Sequence, residues 1–155
     1  MKMTYSEISK KHFNDWVSSG LALWPHHVKK RERLENSFSR ILESSKETAF
    51  ICKDIDGEPV GFINASARTD YVEGSTARPV GYVEGIYVKP GYRRRGIAKM
   101  LVKQAEKWAL KNGCAEMGSD TGLKNAQSRK FHIKAGFKET EKIIHFIKKI
   151  KQEAQ

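Results

Sequence analysis

The stretch from Val80 to Ala109 constrains the fold most. "VGYVEGIYV" (Val80–Val88) is a β-branched and aromatic run of strand character, closed by Pro90-Gly91. "GYRRRG" (Gly91–Gly96) then leads straight into a segment where Ile97, Leu101, Ala105, Trp108 and Ala109 recur at helical spacing. Asn112-Gly113 supplies the stop. A strand feeding a helix through a glycine-bearing turn is an α/β signature. It is also an anion seat, because the first amides of a helix have no internal partner and the dipole favours negative charge there. Gly96 lets a ligand approach the backbone closely, Ala98 keeps the first turn narrow, and Arg93, Arg94 and Arg95 add charge at the rim. Neither GxxxxGK[ST] nor GxGxxG is present.

The flanking sequence extends the alternation. Met3-Thr4-Tyr5 reads as a short strand, and Ser9 can cap a helix carrying Phe13, Trp16 and Val17 on one stripe. Beyond Pro25, a second helical pattern takes in Val28, Leu34, Phe38, Ile41 and Leu42. A hairpin follows, with Phe50–Cys52 and Val60–Ala67 joined through Asp56-Gly57. Thr69–Pro79 reads as a loop, "CAEMGSD" as a strand, Asn125–Ala135 as a helix closed by Gly136, and Phe137–Ile150 as strand-rich. The expected order is β-α-α-β-β-β-α-β-α-β, one α/β domain over residues 1–155 without repeats or low-complexity linkers.

Charge alone does not choose a partner. With 29 Lys+Arg against 18 Asp+Glu, the net +11 favours anions of any kind. A nucleic-acid-binding module would gather its cations on one face among stacking aromatics; here they scatter, and the densest group sits at the anion-seat turn. No apolar run is long enough for a membrane span, and the N-terminus lacks a signal-peptide core, so a cytoplasmic protein is expected. Cys52 and Cys114 stand far apart, without metal-ligand spacing, and are expected to be reduced and buried. The five histidines form no metal-binding pattern, His26-His27 being adjacent; no metal is expected.

Arg93-Arg94-Arg95-Gly96-Ile97-Ala98 fits Arg/Gln-x-x-Gly-x-Gly/Ala, and "NAQSRKFHIKAGF" (Asn125–Phe137) follows downstream. Together with the element order, these resemble the GNAT N-acetyltransferase superfamily, whose fold is a mixed, mostly antiparallel twisted sheet flanked by helices. The resemblance implies acetyl-CoA as cosubstrate. Main-chain amides of Gly96, Ile97, Ala98 and Lys99, with Arg93, Arg94 and Arg95, would hold its pyrophosphate. The backbone of Ile86, Tyr87 and Val88 would take the pantetheine arm as an added strand, an amide near Val88 would polarise the thioester carbonyl, and Asn125 would contact the cofactor. Where the family often has a tyrosine to protonate the departing thiolate, this chain has His132, which is either the acid or a packed helix histidine.

"LALWPHH" (Leu21–His27), "ASARTDYVEG" (Ala65–Gly74), "YVEGIYV" (Tyr82–Val88), "EMGSDT" (Glu116–Thr121) and "GFKETEK" (Gly136–Lys142) narrow the resemblance to the aminoglycoside 6'-N-acetyltransferases. That group implies direct acetyl transfer to the 6'-amine of an aminoglycoside in a ternary complex, antibiotic resistance, and a homodimer. It also implies substrate contacts from Trp24, Tyr71, Glu84, Asp120 and Glu141, with Glu84 as base and Asp120 orienting the amine or taking its proton. The residues support a cationic acceptor. Glu84, alone in an apolar strand, either pairs internally or faces a polar cleft, since an isolated buried charge is costly. Asp70, Glu73, Asp120, Glu139 and Glu141 add acids around the same expected cleft, with Glu139 and Glu141 on one side of a final strand. Trp24 could equally be core, Asp120 a cap and Glu141 a surface residue. The rival enzyme reading is a relative acetylating a polyamine, small metabolite or protein N-terminus.

Overall fold

The computed structural model describes residues 2–25 and 29–153. Readings that fall on His26, His27 and Val28 lie outside the described residues. Strand β1 (Thr4–Glu7) leads through a 3₁₀ turn (Lys10–His12) into helix α1 (Phe13–Leu23), then α2 (Lys30–Glu43). Strands β2 (Glu47–Lys53), β3 (Pro59–Arg68) and β4 (Val80–Val88) follow. After a 3₁₀ turn (Pro90–Tyr92) come α3 (Ile97–Lys111), the two-residue β5 (Met117–Gly118) and α4 (Ala126–Lys134). The sheet has sequential order β1-β2-β3-β4-β5, antiparallel throughout except for the parallel β4–β5 pair.

Apolar side chains bury on both faces of this sheet. On one, Ile97, Leu101, Val102 and Ala105 of α3 pack against Phe50, Cys52, Ile63, Ala65 and Val83. On the other, Trp16, Val17, Phe38 and Ile41 of α1 and α2 pack against Ala49 and Phe62. Trp16 stacks on Phe38 at 3.8 Å between centroids, and its indole N–H donates to Asn64 Oδ1 at 2.9 Å. That bond satisfies the one polar group a buried indole carries. Among the described residues, no helix is long and apolar enough to cross a membrane.

Two details of β4 position the site. Asn64 pairs with Gly85 and Ala65 with Val83, so Glu84 is the extra residue of a β-bulge. On its other edge β4 meets β5 only at Gly81 and Tyr82. Beyond residue 82, among the described residues, that edge has no strand beside it.

Two expectations are corrected. The strand-rich reading of Phe137–Ile150 does not hold within one chain: residues 137–153 form no strand, and Ile143, Ile144, Phe146, Ile147 and Ile150 are exposed. The β pattern is present, but among the described residues it pairs with no strand of the same chain. The strand expected over "CAEMGSD" contracts to Met117–Gly118. Cys114 sits in the turn before it, buried and free, its N–H bonded to the Ala109 carbonyl.

Candidate active site

The anion-seat turn adopts the geometry its sequence suggests. Arg94 and Gly96 both have positive φ, 64° and 79°, which brings the chain from the 3₁₀ turn into α3 within four residues. Gly96 is the cap residue, no side chain caps the helix, and its first turn contains no acid. The first intrahelical bond at this end is Met100 N–H to the Gly96 carbonyl, which leaves the preceding amides to face outward. No atom lies within 4 Å of where a Gly96 Cβ would stand, so the turn is open as well as narrow. The three arginines divide their work. Arg93 folds back, its Nε donating to the Val88 carbonyl at 2.8 Å, and fastens the turn to the end of β4. Arg95 leans over the Tyr92 ring at 5.3 Å. Arg94 and Lys99 are exposed.

Glu84 is the centre of the acidic group. As the bulge residue it leaves the pleat, and its side chain is 35% exposed. Its Oε1 accepts from Ser66 Oγ at 2.6 Å and Arg68 Nε at 2.8 Å, while Oε2 accepts from a second Arg68 nitrogen at 2.8 Å. Ser66 and Arg68 reach it from alternate positions at the end of β3. The Arg68 guanidinium also lies 3.4 Å over the Tyr82 ring. The Glu84 carboxylate, with burial opposing, holds the guanidinium more firmly protonated than usual. The Tyr82 hydroxyl donates to Asp120 Oδ2. Burial first, and this bond second, push the phenol well above its ordinary range, so it remains a neutral donor. Glu84, Arg68, Tyr82 and Asp120 therefore form one chain of contacts. Of the two readings open for Glu84, internal pairing describes this state.

Other expected residues fall around this cluster. Trp24 lies across Gly85 and against Phe62, 6.1 Å between rings, so it is partly core and partly the wall of a cleft. That cleft, ≈ 390 Å³, is lined by Trp24, Asn64 and Glu84 and by Lys30, Arg33 and Arg40 of α2. Its basic α2 wall departs from the expectation of acids all round. Tyr71 is 63% exposed and donates to Glu73, which, with Glu141 contributing, raises its phenol pKa. No final strand carries Glu141, which is exposed. Glu139 pairs instead with Arg129 of α4. Ile86, Tyr87 and Val88 sit along the open edge of β4, their side chains packed into the two cores. Asn125 caps α4, accepting the Ser128 N–H at 3.1 Å.

His132 is held between the Phe131 and Phe137 rings, with centroids at 5.5 and 5.3 Å. Its Nδ1 lies 2.7 Å from the Ser128 carbonyl, which can only accept, so Nδ1 carries the proton. Nε2 lies 2.7 Å from Ser119 Oγ, within hydrogen-bond distance. The imidazole is packed and bonded through both nitrogens, and its partner Ser119 directly precedes Asp120.

The residues that sequence reasoning passed over are Ser66, Arg68, Tyr82 and Glu116. Glu116 anchors the loop between β3 and β4 by accepting the N–H groups of Thr76 at 2.7 Å and Ala77 at 3.0 Å. The available signal was Ser66-x-Arg68, two polar residues ending an apolar strand that must pair with the strand carrying Glu84.

Comparison with known proteins agrees with this geometry. The sequence profile of the acetyltransferase (GNAT) family matches residues 8–137. An aminoglycoside N(6')-acetyltransferase type 1 from Salmonella enteritidis is 37% identical over 147 residues, 95% of this chain and 99% of the relative. One from Serratia marcescens is 38% identical over 133 residues, 86% of this chain and 90% of the relative. Among solved structures, AAC(6')-Iy in complex with the bisubstrate analogue CoA-S-monomethyl-acetylneamine has a TM-score of 0.91 at 37% identity. The alignment covers 97% of this chain and 100% of that one. AAC(6')-Ih from Acinetobacter baumannii has a TM-score of 0.88 at 34% identity, covering 96% and 99%. With the strand–turn–helix seat, the open β4 edge and this breadth of similarity, the chain belongs to the GNAT acetyltransferase family.

Proposed function

We propose that this protein transfers the acetyl group of acetyl-CoA to the 6'-amine of aminoglycoside antibiotics, directly and within a ternary complex. The observation that carries this reading is at Glu84. The bulge that turns this carboxylate toward Ser66, Arg68 and Tyr82 lies just past the point where β4 loses its outer neighbour. An acidic site for a cation and a free strand edge for an extended cofactor arm meet there. Relatives with 37% identity over nearly their whole length are aminoglycoside N(6')-acetyltransferases, and the reading takes residues 1–155 as one domain with that activity.

The residues present fit acetyl-CoA. The outward amides of Gly96, Ile97, Ala98 and Lys99, in an open turn without acids, suit a pyrophosphate, with Arg94 and Arg95 exposed at its rim. Arg93 serves by fixing the turn. The free edge of Ile86–Val88 suits an added strand, and the side-chain N–H₂ of Asn125 faces no acceptor that its capping role requires. When bound, acetyl-CoA supplies a carbonyl activated as a thioester. This chain's part is to hold the amine, take its proton and offer main-chain N–H groups along the open edge to developing negative charge. Glu84 and Asp120 are the two carboxylates able to take that proton. Tyr82, a persistently neutral donor, orients Asp120. Trp24, Tyr71 and Glu141 supply ring faces and a further negative charge for the aminosugar.

A homodimer belongs to this reading. Ile143, Ile144, Phe146, Ile147 and Ile150 are between 71% and 99% exposed on a segment outside any helix or strand whose sequence is strand-forming. A second copy offers such a segment a strand partner, which it does not have within its own chain among the described residues. The compartment that fits an acetyl-CoA-dependent enzyme is the cytoplasm.

Release of free thiol from acetyl-CoA across a panel of aminoglycosides and polyamines tests the function. Turnover with aminoglycosides that carry a 6'-amine supports it; turnover with polyamines alone removes it. Glu84→Gln should keep acetyl-CoA binding and lower turnover by about 100-fold.

A further inference from the structure

We propose that Arg68 is the resident cation of the acceptor site, an internal competitor that a bound amine displaces and that sets the site against weakly charged amines. The proposal rests on the acceptor reading above and extends it to a specificity-determining residue.

The geometry makes Glu84 a filled seat. Its two oxygens accept three donors, and the two from Arg68 take the side-by-side positions that a carboxylate offers a fork. An ammonium cannot reach the same lone pairs while the guanidinium remains. Nor would it enter readily beside it, since two like charges a few ångströms apart in a partly desolvated site repel. Yet the cation is not locked in. The Arg68 side chain is 32% exposed, Arg68 is the last residue of β3, and one face of its guanidinium rests on Tyr82. Asp70, two residues further on, is exposed and is a carboxylate on the loop that Arg68 leads into. A swing toward Asp70 keeps the guanidinium paired and uncovers Glu84, Ser66 and the Tyr82 face together. The uncovered surface then holds two acceptors and an aromatic face, which is what a protonated aminosugar requires.

An intramolecular partner competes at high effective concentration. A monoamine offers one charge against it and fails to displace it. An aminoglycoside engages Glu84 while its other ammonium groups meet Asp120 and the acids near Tyr71, so the sum of contacts exceeds what the single guanidinium supplies. Arg68 thereby rejects amines by occupying the site rather than by shaping it.

The test is calorimetric binding to the full chain in the presence of CoA, using kanamycin A and a methyl 6-amino-6-deoxyglucoside as polyamine and monoamine probes. For Arg68→Gln, which keeps the stem and a polar end, kanamycin A should bind about tenfold tighter. The monoamine, undetectable on the parent protein, should bind measurably. Methylguanidinium should compete with kanamycin A on Arg68→Gln and not on the parent. Arg68→Lys, retaining charge without the fork, should fall between the two. Equal or weaker kanamycin A binding by both variants, at unchanged melting temperature, overturns the proposal and makes Arg68 a positioning residue for Glu84. If Arg68→Gln is poorly folded, Arg68→Lys decides alone: tighter kanamycin A binding than the parent supports the proposal, and equal or weaker binding overturns it. Parent protein that binds no kanamycin A contradicts the acceptor reading itself, a separate outcome.

Discussion

Trp24 lies so close over Gly85 that a Cβ at residue 85 would stand 2.6 Å from its ring. Gly85 follows the bulge residue Glu84, so the backbone that places the carboxylate also seats the aromatic wall beside it. Gly85→Ala should push the indole out into the cleft, at a stability cost of about 1 kcal/mol. KM for the aminoglycoside should rise several-fold while KM for acetyl-CoA stays unchanged. Steady-state kinetics with each substrate varied in turn separates the two effects.

Gly96 tests the donor side alone. Its φ of +79° is unfavourable for any residue with a Cβ, although no neighbouring atom would obstruct one. Gly96→Ala should therefore act through backbone strain of about 1 kcal/mol and through a reshaped turn. CoA affinity measured by calorimetry should fall about tenfold, with kanamycin A binding retained.

Glu116 carries a pH dependence. The N–H groups of Thr76, then Ala77, hold its carboxyl below the ordinary glutamate range. A carboxyl depressed in the folded state stabilises above its unfolded pKa and loses that contribution as pH falls through the folded one. The melting-temperature advantage of the parent over Glu116→Gln should be full near neutrality, begin to shrink near the ordinary glutamate pKa of about 4.3 and be lost as pH falls through the lower folded value. KM for the aminoglycoside should rise at pH 7 because the loop carrying Tyr71 loosens. An advantage that stays undiminished from neutrality down to about pH 3 would exclude the charged anchor.

The exposed C-terminal segment predicts its own phenotype. Phe146 and Ile147 are 91% and 99% exposed, so replacing both with Glu removes nothing from the core of one chain. Light scattering on a sizing column should show a dimer for the parent and a monomer for Phe146→Glu/Ile147→Glu. An unchanged dimer would place the interface elsewhere.

These cases also mark where the sequence was informative. β4, α3 and Gly96 were legible because their signals are local: a β-branched run, a helical apolar stripe, and a glycine where left-handed backbone is needed. Glu84 stood out as a lone acid among apolar residues. Its bulge and its pairing with Arg68 did not, because both depend on the register between β3 and β4, which no single strand encodes. The C-terminal segment carries a genuine local strand pattern. A strand, however, requires a paired neighbour, and among the described residues this segment pairs with none. Trp24 resisted assignment because it does two things at once, filling space over Gly85 and Phe62 while lining the cleft.

The central claim is an acetyl transfer directed to one amine, and the product reports on it. Kanamycin A incubated with acetyl-CoA and the protein, then resolved by mass spectrometry and two-dimensional NMR, should carry one acetyl group, on the 6'-nitrogen. An otherwise similar aminoglycoside with a 6'-hydroxyl should be returned unmodified. Acetylation at another amine, or no thiol release with either compound, would contradict the account.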